Sequence, residues 1–237
     1  MKDTTTWKRS KTSTVTGVLF IAAAVSSMVG LALYNPIFRG NDFLTQGVEH
    51  YSQIILGAIF ELVLVCTAIG TAIQLFPILS RYDPKAALGY FTFRLLEVVA
   101  IFIGTISALA MLSTSKLFHE YPNQDSQLFT AIGLSFKSIY HWTFMIGPNF
   151  LLGVNTFIYA NAFRRYKTVP SKLAWLGITG AILIFLASLL ELFGLIEQIS
   201  LPGILLAVPI FLYEMSLAVW LISKGLSTHS QESSGGL

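Results

Sequence analysis

LGYFTFRLLEVVAIFIGTISALAML, Leu88 to Leu112, is the stretch on which the fold turns. Apart from Arg94 and Glu97 it carries no charge. As a helix rising ~1.5 Å per residue, it is long enough to cross the ~30 Å hydrocarbon core of a bilayer. The two charged residues are three apart, so a helix places them on one face. A charge in hydrocarbon costs at least ~2.5–3.5 kcal/mol. That face must therefore turn away from lipid, and other helices must enclose it.

Working outward, the same pattern recurs. The chain has 237 residues, 54% hydrophobic and only 11% charged, against about 25% charged in soluble domains. Besides the opening stretch, apolar runs cover Val15 to Leu33, Tyr51 to Leu79, Leu128 to Phe163, Leu173 to Phe193 and Leu201 to Ser223. The expected architecture is an all-α, polytopic membrane protein with a bundle of six transmembrane helices. It divides into a basic segment 1–14, a transmembrane domain 15–224 and a Ser/Gly-rich tail 225–237. The basic start ahead of the first run resembles a secretion signal, but the run is close to the ~20 residues needed to span and reads as a retained helix. The fourth run exceeds one crossing and is expected to be tilted, kinked or extended. Pro148 within it removes a backbone donor and clashes with the carbonyl of Phe144, so a kink is expected there, with a second at Pro209.

Six spans put both termini on one side. Eleven Lys and Arg fall on that side: Lys2, Lys8, Arg9, Lys11, Arg81, Lys85, Arg164, Arg165, Lys167, Lys172 and Lys224. The opposite loops hold only Arg39 and Lys116. By the positive-inside rule both termini are cytoplasmic. The same distribution argues against nucleic-acid binding, because the basic residues sit in short loops between apolar runs rather than forming one patch. The single cysteine, Cys66, leaves no disulfide framework and no CxxC metal site.

Seven titratable residues lie inside the runs: Glu61, Arg94, Glu97, Lys137, His141, Glu191 and Glu214. Asn155 joins Lys137, His141 and Pro148 on one stripe of the fourth run. At ~1.5 Å per residue, Arg94 lies about 10 Å from the cytoplasmic edge and Glu97 about 15 Å, while Lys137 lies about 13 Å and His141 about 20 Å from the opposite edge. On depth alone, Arg94 pairs with Glu97, Glu61 or Glu214, and Lys137 pairs with Glu191. These eight residues are the candidate ligand-binding set. One reading makes them ion pairs that hold the bundle together. Another makes them a mid-depth binding site, proton path or acid–base centre, since intramembrane charge is costly and carboxylates outnumber permanent cations. No HExxH, Walker, GxSxG or GxGxxG pattern is present, so neither a metal nor a cofactor is expected. The expected partners are membrane lipids and a small ligand.

Three passages carry a resemblance: QLFPILSRYDPKAALGYFTFRLLEVV (Gln74 to Val99), HWTFMIGPNFLLGVNTFIYANAFRRYKTVPSKLAWLGITG (His141 to Gly180) and LYEMSLAVWLISKGL (Leu212 to Leu226). Together and in this order they resemble the bacterial membrane family of domain-of-unknown-function 4386, from about Gly17 to Gly225. The resemblance implies a protein of the bacterial cytoplasmic membrane. It points to Arg94, Glu97, Gly147, Pro148, Pro170 and Glu214 as positions matching the family pattern. It brings no assigned activity.

Overall fold

The computed structural model describes residues 7–39, 42–121 and 125–227, and they are almost wholly helical. The elements in order are β1 (Trp7–Lys8), α1 (Lys11–Leu33), α2 (Asn35–Phe38), α3 (Phe43–Glu49), α4 (Tyr51–Ser80) and α5 (Pro84–Glu120), then α6 (Ser126–Phe144), a π-helical segment (Met145–Leu151), α7 (Leu152–Arg165), α8 (Ser171–Leu192), α9 (Leu201–Ser223) and β2 (Leu226–Ser227). Helix starts follow local capping chemistry. Ser10 and Ser13 form a reciprocal capping box on α1, and the Asp83 side chain accepts from Ala86 N ahead of Pro84 on α5. Ser200 accepts from Gly203 N at the start of α9.

Helices α1, α4, α5, α8 and α9 are each long and apolar enough to cross a membrane. Their exposed surface is studded with large apolar side chains such as Val18, Leu56, Val99, Ile182 and Leu205, the surface that lipid, rather than water, accommodates. The fourth apolar run is one continuous helical path from Ser126 to Arg165, interrupted by the π-helical segment around Pro148. Missing donors and ring clashes favour such a wider turn. By contrast α9 runs on through Pro209 as one helix.

Helix α1 packs on α4 and α9, α5 on α4, α6 and α7, and α8 on α7 and α9. The chain ends meet: β1 pairs antiparallel with β2, and the Trp7 and Trp220 rings contact edge-on at 5.3 Å. Leu226 and Ser227, which the sequence places in the tail, thus belong to the folded body. Ser227 N donates to Thr168 O at 3.0 Å. The last ten residues and the first six lie outside the described residues.

Two features extend past the sequence reading. Helix α5 does not end with the apolar stretch at Leu112 but continues to Glu120, 37 residues in all, or roughly 55 Å. Helices α2 and α3 fold back over the far end of the bundle, where Ser115 Oγ on α5 donates to Leu44 O at 2.5 Å. Two large apolar cores result, with a smaller cluster of Ile184, Ala187 and Ile210 where α8 meets α9. One, near the chain ends, contains Leu79, Tyr90, Tyr159, Phe163, Tyr213 and Leu217. The other, at the distal end, contains Tyr34, Ile37, Phe43, Met111 and Tyr140. On α5, Arg94 and Glu97 fall between Tyr90 of the first core and Ala108 of the second.

Candidate functional site

On α5, Arg94 and Glu97 are both 4% exposed. Nη1 of Arg94 donates to both carboxylate oxygens of Glu97, at 3.1 and 3.0 Å. The i,i+3 spacing makes this contact within one helix, as the sequence allows. Asn155 Nδ2, reaching over from α7, also donates to Glu97 Oε2. Asn155 is in turn fixed by Thr156 Oγ1, which donates to its Oδ1 at 3.4 Å. The Nε of Arg94 is buried and has no hydrogen-bond partner. Buried donors in proteins are nearly always satisfied, so an orphan on a guanidinium calls for an explanation.

The π-helical segment sets this geometry. Gly147 lies so close to α5 that a Cβ there would stand 2.8 Å from the Ala100 Cβ and 3.3 Å from the Glu97 carbonyl oxygen. That close approach brings the kinked helix onto the turn that carries Glu97. Directly after Pro148, Asn149 Nδ2 donates to Glu191 Oε2 on α8 at 2.9 Å. Segments of this kind inside α-helices recur at functional sites.

A cavity of about 420 Å³ opens beside this cluster. Arg94, Glu97, Asn149, Glu191 and Glu214 all line it, together with apolar residues of α1 and α9. Glu214 is half-buried, and among the described residues its side chain makes no hydrogen bond or ion pair. Towards the chain ends three tyrosine rings meet, Tyr90 edge-on to Tyr159 at 5.2 Å and Tyr159 stacked on Tyr213 at 5.9 Å.

Glu61 belongs elsewhere. It does not reach Arg94. Thr105 Oγ1 on α5 donates to its Oε2 at 2.7 Å, and Tyr140 Oη on α6 donates to its Oε1 at 2.9 Å. The carboxylate thus ties α4, α5 and α6 together, and the adjoining void is only about 10 Å³. Replacing Glu61 by Leu is expected to lower stability by about 1–3 kcal/mol, because it strands the Tyr140 hydroxyl. Glu61→Gln, which keeps an acceptor, should cost less than half as much in the same thermal unfolding measurement.

Lys137 and His141 do not lie at mid-depth. They line a second chamber with Ala32, Asn35 and Arg39, level with the end of α1. The depth inferred from their own helix fails because α6 starts beside the overhanging end of α5, well beyond Leu33. Lys137 accordingly makes no pair with Glu191. Among the described residues the only ion pairs are Arg94–Glu97 and an exposed Lys116–Glu120 contact at 3.7 Å. His141 is exposed and has no carboxylate partner among them, so the Glu/His couple that acid–base chemistry would need is not formed. No cluster of three or more metal-ligating side chains occurs among the described residues.

Sequence reasoning missed Asn149, Tyr140 and Thr105. Asn149 carried a usable signal, since it is a polar side chain one residue after Pro148 in an apolar run. Tyr140 and Thr105 carried none, because both residue types are common in spans without a buried partner.

The family described as Domain of unknown function (DUF4386) matches residues 15–225. Neither the curated proteins nor the solved structures gave a match. With that match covering all five long apolar helices and the kinked one between them, the chain belongs to the DUF4386 family and is a multi-pass helical membrane protein.

Proposed function

We propose that this protein is a six-span bundle of the bacterial cytoplasmic membrane, with both termini cytoplasmic, that binds a small polar ligand or ion in its central chamber, as a transporter or ligand-binding membrane protein does. The pairing of β1 with β2 supports an even number of crossings. The helical path from Ser126 to Arg165 supplies the sixth. It is less apolar than the others because it carries Lys137, His141, Asn149 and Asn155, of which the two asparagines are buried inside the bundle. The charge asymmetry of the loops supports the orientation.

The observation that carries the ligand reading is the guanidinium of Arg94. One edge is engaged by Glu97, the Nε is buried without a partner, and the side chain forms part of the wall of a 420 Å³ chamber. Across that chamber Glu214 offers an unengaged carboxylate. A small solute carrying an acceptor for Arg94 and a donor for Glu214 satisfies both. A purely structural role fits Glu61, whose carboxylate is saturated beside almost no void, but leaves the chamber unused. Kinked helices lining such a chamber are a recurrent feature of transporter binding sites.

The test is extraction of wild type and Glu214→Gln into native nanodiscs, followed by mass spectrometry of the small molecules released on denaturation. A compound retained by wild type and reduced at least tenfold in the variant is expected. Identical contents, with both proteins folded, would refute the reading.

A further inference from the structure

The second chamber has a chemistry of its own. Its volume is about 470 Å³, and Arg39, Lys137 and His141 converge on it from the loop after α2 and from α6. Among the described residues no Asp or Glu lines it, and none of the three basic groups is ion-paired. Gln198, in the connection before α9, borders the same space, and its Nε2 is buried without a hydrogen-bond partner. A guanidinium, an ammonium, an imidazole and a carboxamide thus border a space with no carboxylate among its described lining residues. Guanidinium and ammonium groups so arranged select phosphate-like anions.

The chamber's surroundings narrow the source of that anion. Near the chain ends α1 and α9 touch, with Gly17 against Ala218 and Ile222. Towards the distal end they part: Ala24, Met28 and Leu31 on α1 and Ile204, Ala207 and Phe211 on α9 line the central chamber instead of one another. The rim of this cleft is apolar and open, with Met28 60%, Ile199 62% and Ile204 50% exposed. Met28, Leu31, Phe144, Gln198 and Ile199 border both chambers, so the cleft runs from the basic group to the polar centre. In a membrane-spanning bundle such a rim faces acyl chains, not water. A soluble anion gains nothing from it. Basic pockets between transmembrane helices bind lipid headgroups by this combination of charge and apolar cleft.

We propose that the distal chamber holds the headgroup of an anionic phospholipid on Arg39, Lys137, His141 and Gln198, with an acyl chain laid in the cleft between α1 and α9. The level of Lys137 at the end of α1 matches a headgroup rather than the membrane centre. The headgroup residues are distinct from Arg94 and Glu214, while the acyl cleft shares Met28, Leu31, Phe144, Gln198 and Ile199 with the central chamber.

The test is native mass spectrometry of the purified full-length protein titrated with phosphatidylglycerol, with phosphatidylcholine and glycerol phosphate as probes. Phosphatidylglycerol should be retained at least tenfold over phosphatidylcholine, and glycerol phosphate should not displace it. The Arg39→Gln/Lys137→Gln double variant should lose that preference. Met28→Trp, which obstructs the cleft but leaves every basic group in place, should lower phosphatidylglycerol retention severalfold. Glu214→Gln should leave lipid retention unchanged while affecting the central ligand, which separates failure of one proposal from failure of the other. Equal retention of the two lipids, displacement by glycerol phosphate, or an unaltered preference in the double variant would overturn the assignment.

Discussion

Glu97→Leu is expected to lower the unfolding free energy by about 3–5 kcal/mol, as removal of one partner of a buried ion pair does. The substitution leaves the Arg94 guanidinium, only 4% exposed, with no carboxylate in contact, and releases Asn155 from its acceptor. The double variant Arg94→Met/Glu97→Leu should recover most of that loss, because replacing a whole buried pair by apolar groups of similar volume is often neutral or stabilising. Reversible denaturation in mixed micelles measures both. The pair of results also separates stability from function. If the pair were only a fastener, the double variant would be stable and unimpaired. The central-chamber reading expects it to be stable and to retain none of the small molecule that wild type carries.

Gly180→Leu is the second large effect, expected at about 3 kcal/mol or more, the upper end for overpacking. A Cβ at Gly180 would stand 2.8 Å from the Cα and N of Ile210 and 3.0 Å from the carbonyl carbon of Pro209. All three are backbone atoms of α9, so no side-chain rotation relieves the clash and the helix itself must move. Moving α9 off α8 shifts Glu214, four residues beyond Ile210, and so alters the wall of the central chamber. Loss of thermal stability together with loss of the retained small molecule is therefore expected. Unchanged unfolding would mean that α8 and α9 do not cross at this glycine.

How far the site was legible depends on what kind of contact each residue makes. Arg94 and Glu97 pair through their own helix, so their spacing puts them on one face, but the sequence alone leaves Glu61 and Glu214 as equal alternatives. That Glu191 and Glu214 turn away from lipid follows from the cost of charge there, whereas the Asn149 partner of Glu191 does not. Depth alone makes Glu61 one of three possible partners of Arg94, yet Thr105 and Tyr140 hold it, because neutral hydroxyls can satisfy a carboxylate and leave no mark in a hydropathy pattern. Lys137 was matched to Glu191 by counting residues from the start of its run. That count assumes every helix begins at the same level, and α5 and α6 do not.

The sequence by itself determined that this chain is a helical membrane protein, where most helices begin and end, and that the Arg94–Glu97 face must be enclosed. These follow from local quantities: apolar run length, capping side chains, and the energetic penalty of charge in hydrocarbon. Only the tertiary structure decided which helices are neighbours, how far each slides along the next, and that the chain ends pair through β1 and β2. Those depend on close approaches such as Gly147 against Ala100 and Gly180 against Ile210. They also depend on a 37-residue α5 that overhangs the end of α1. Contact between elements distant in sequence is set by the shapes of two surfaces together, and neither surface alone records it.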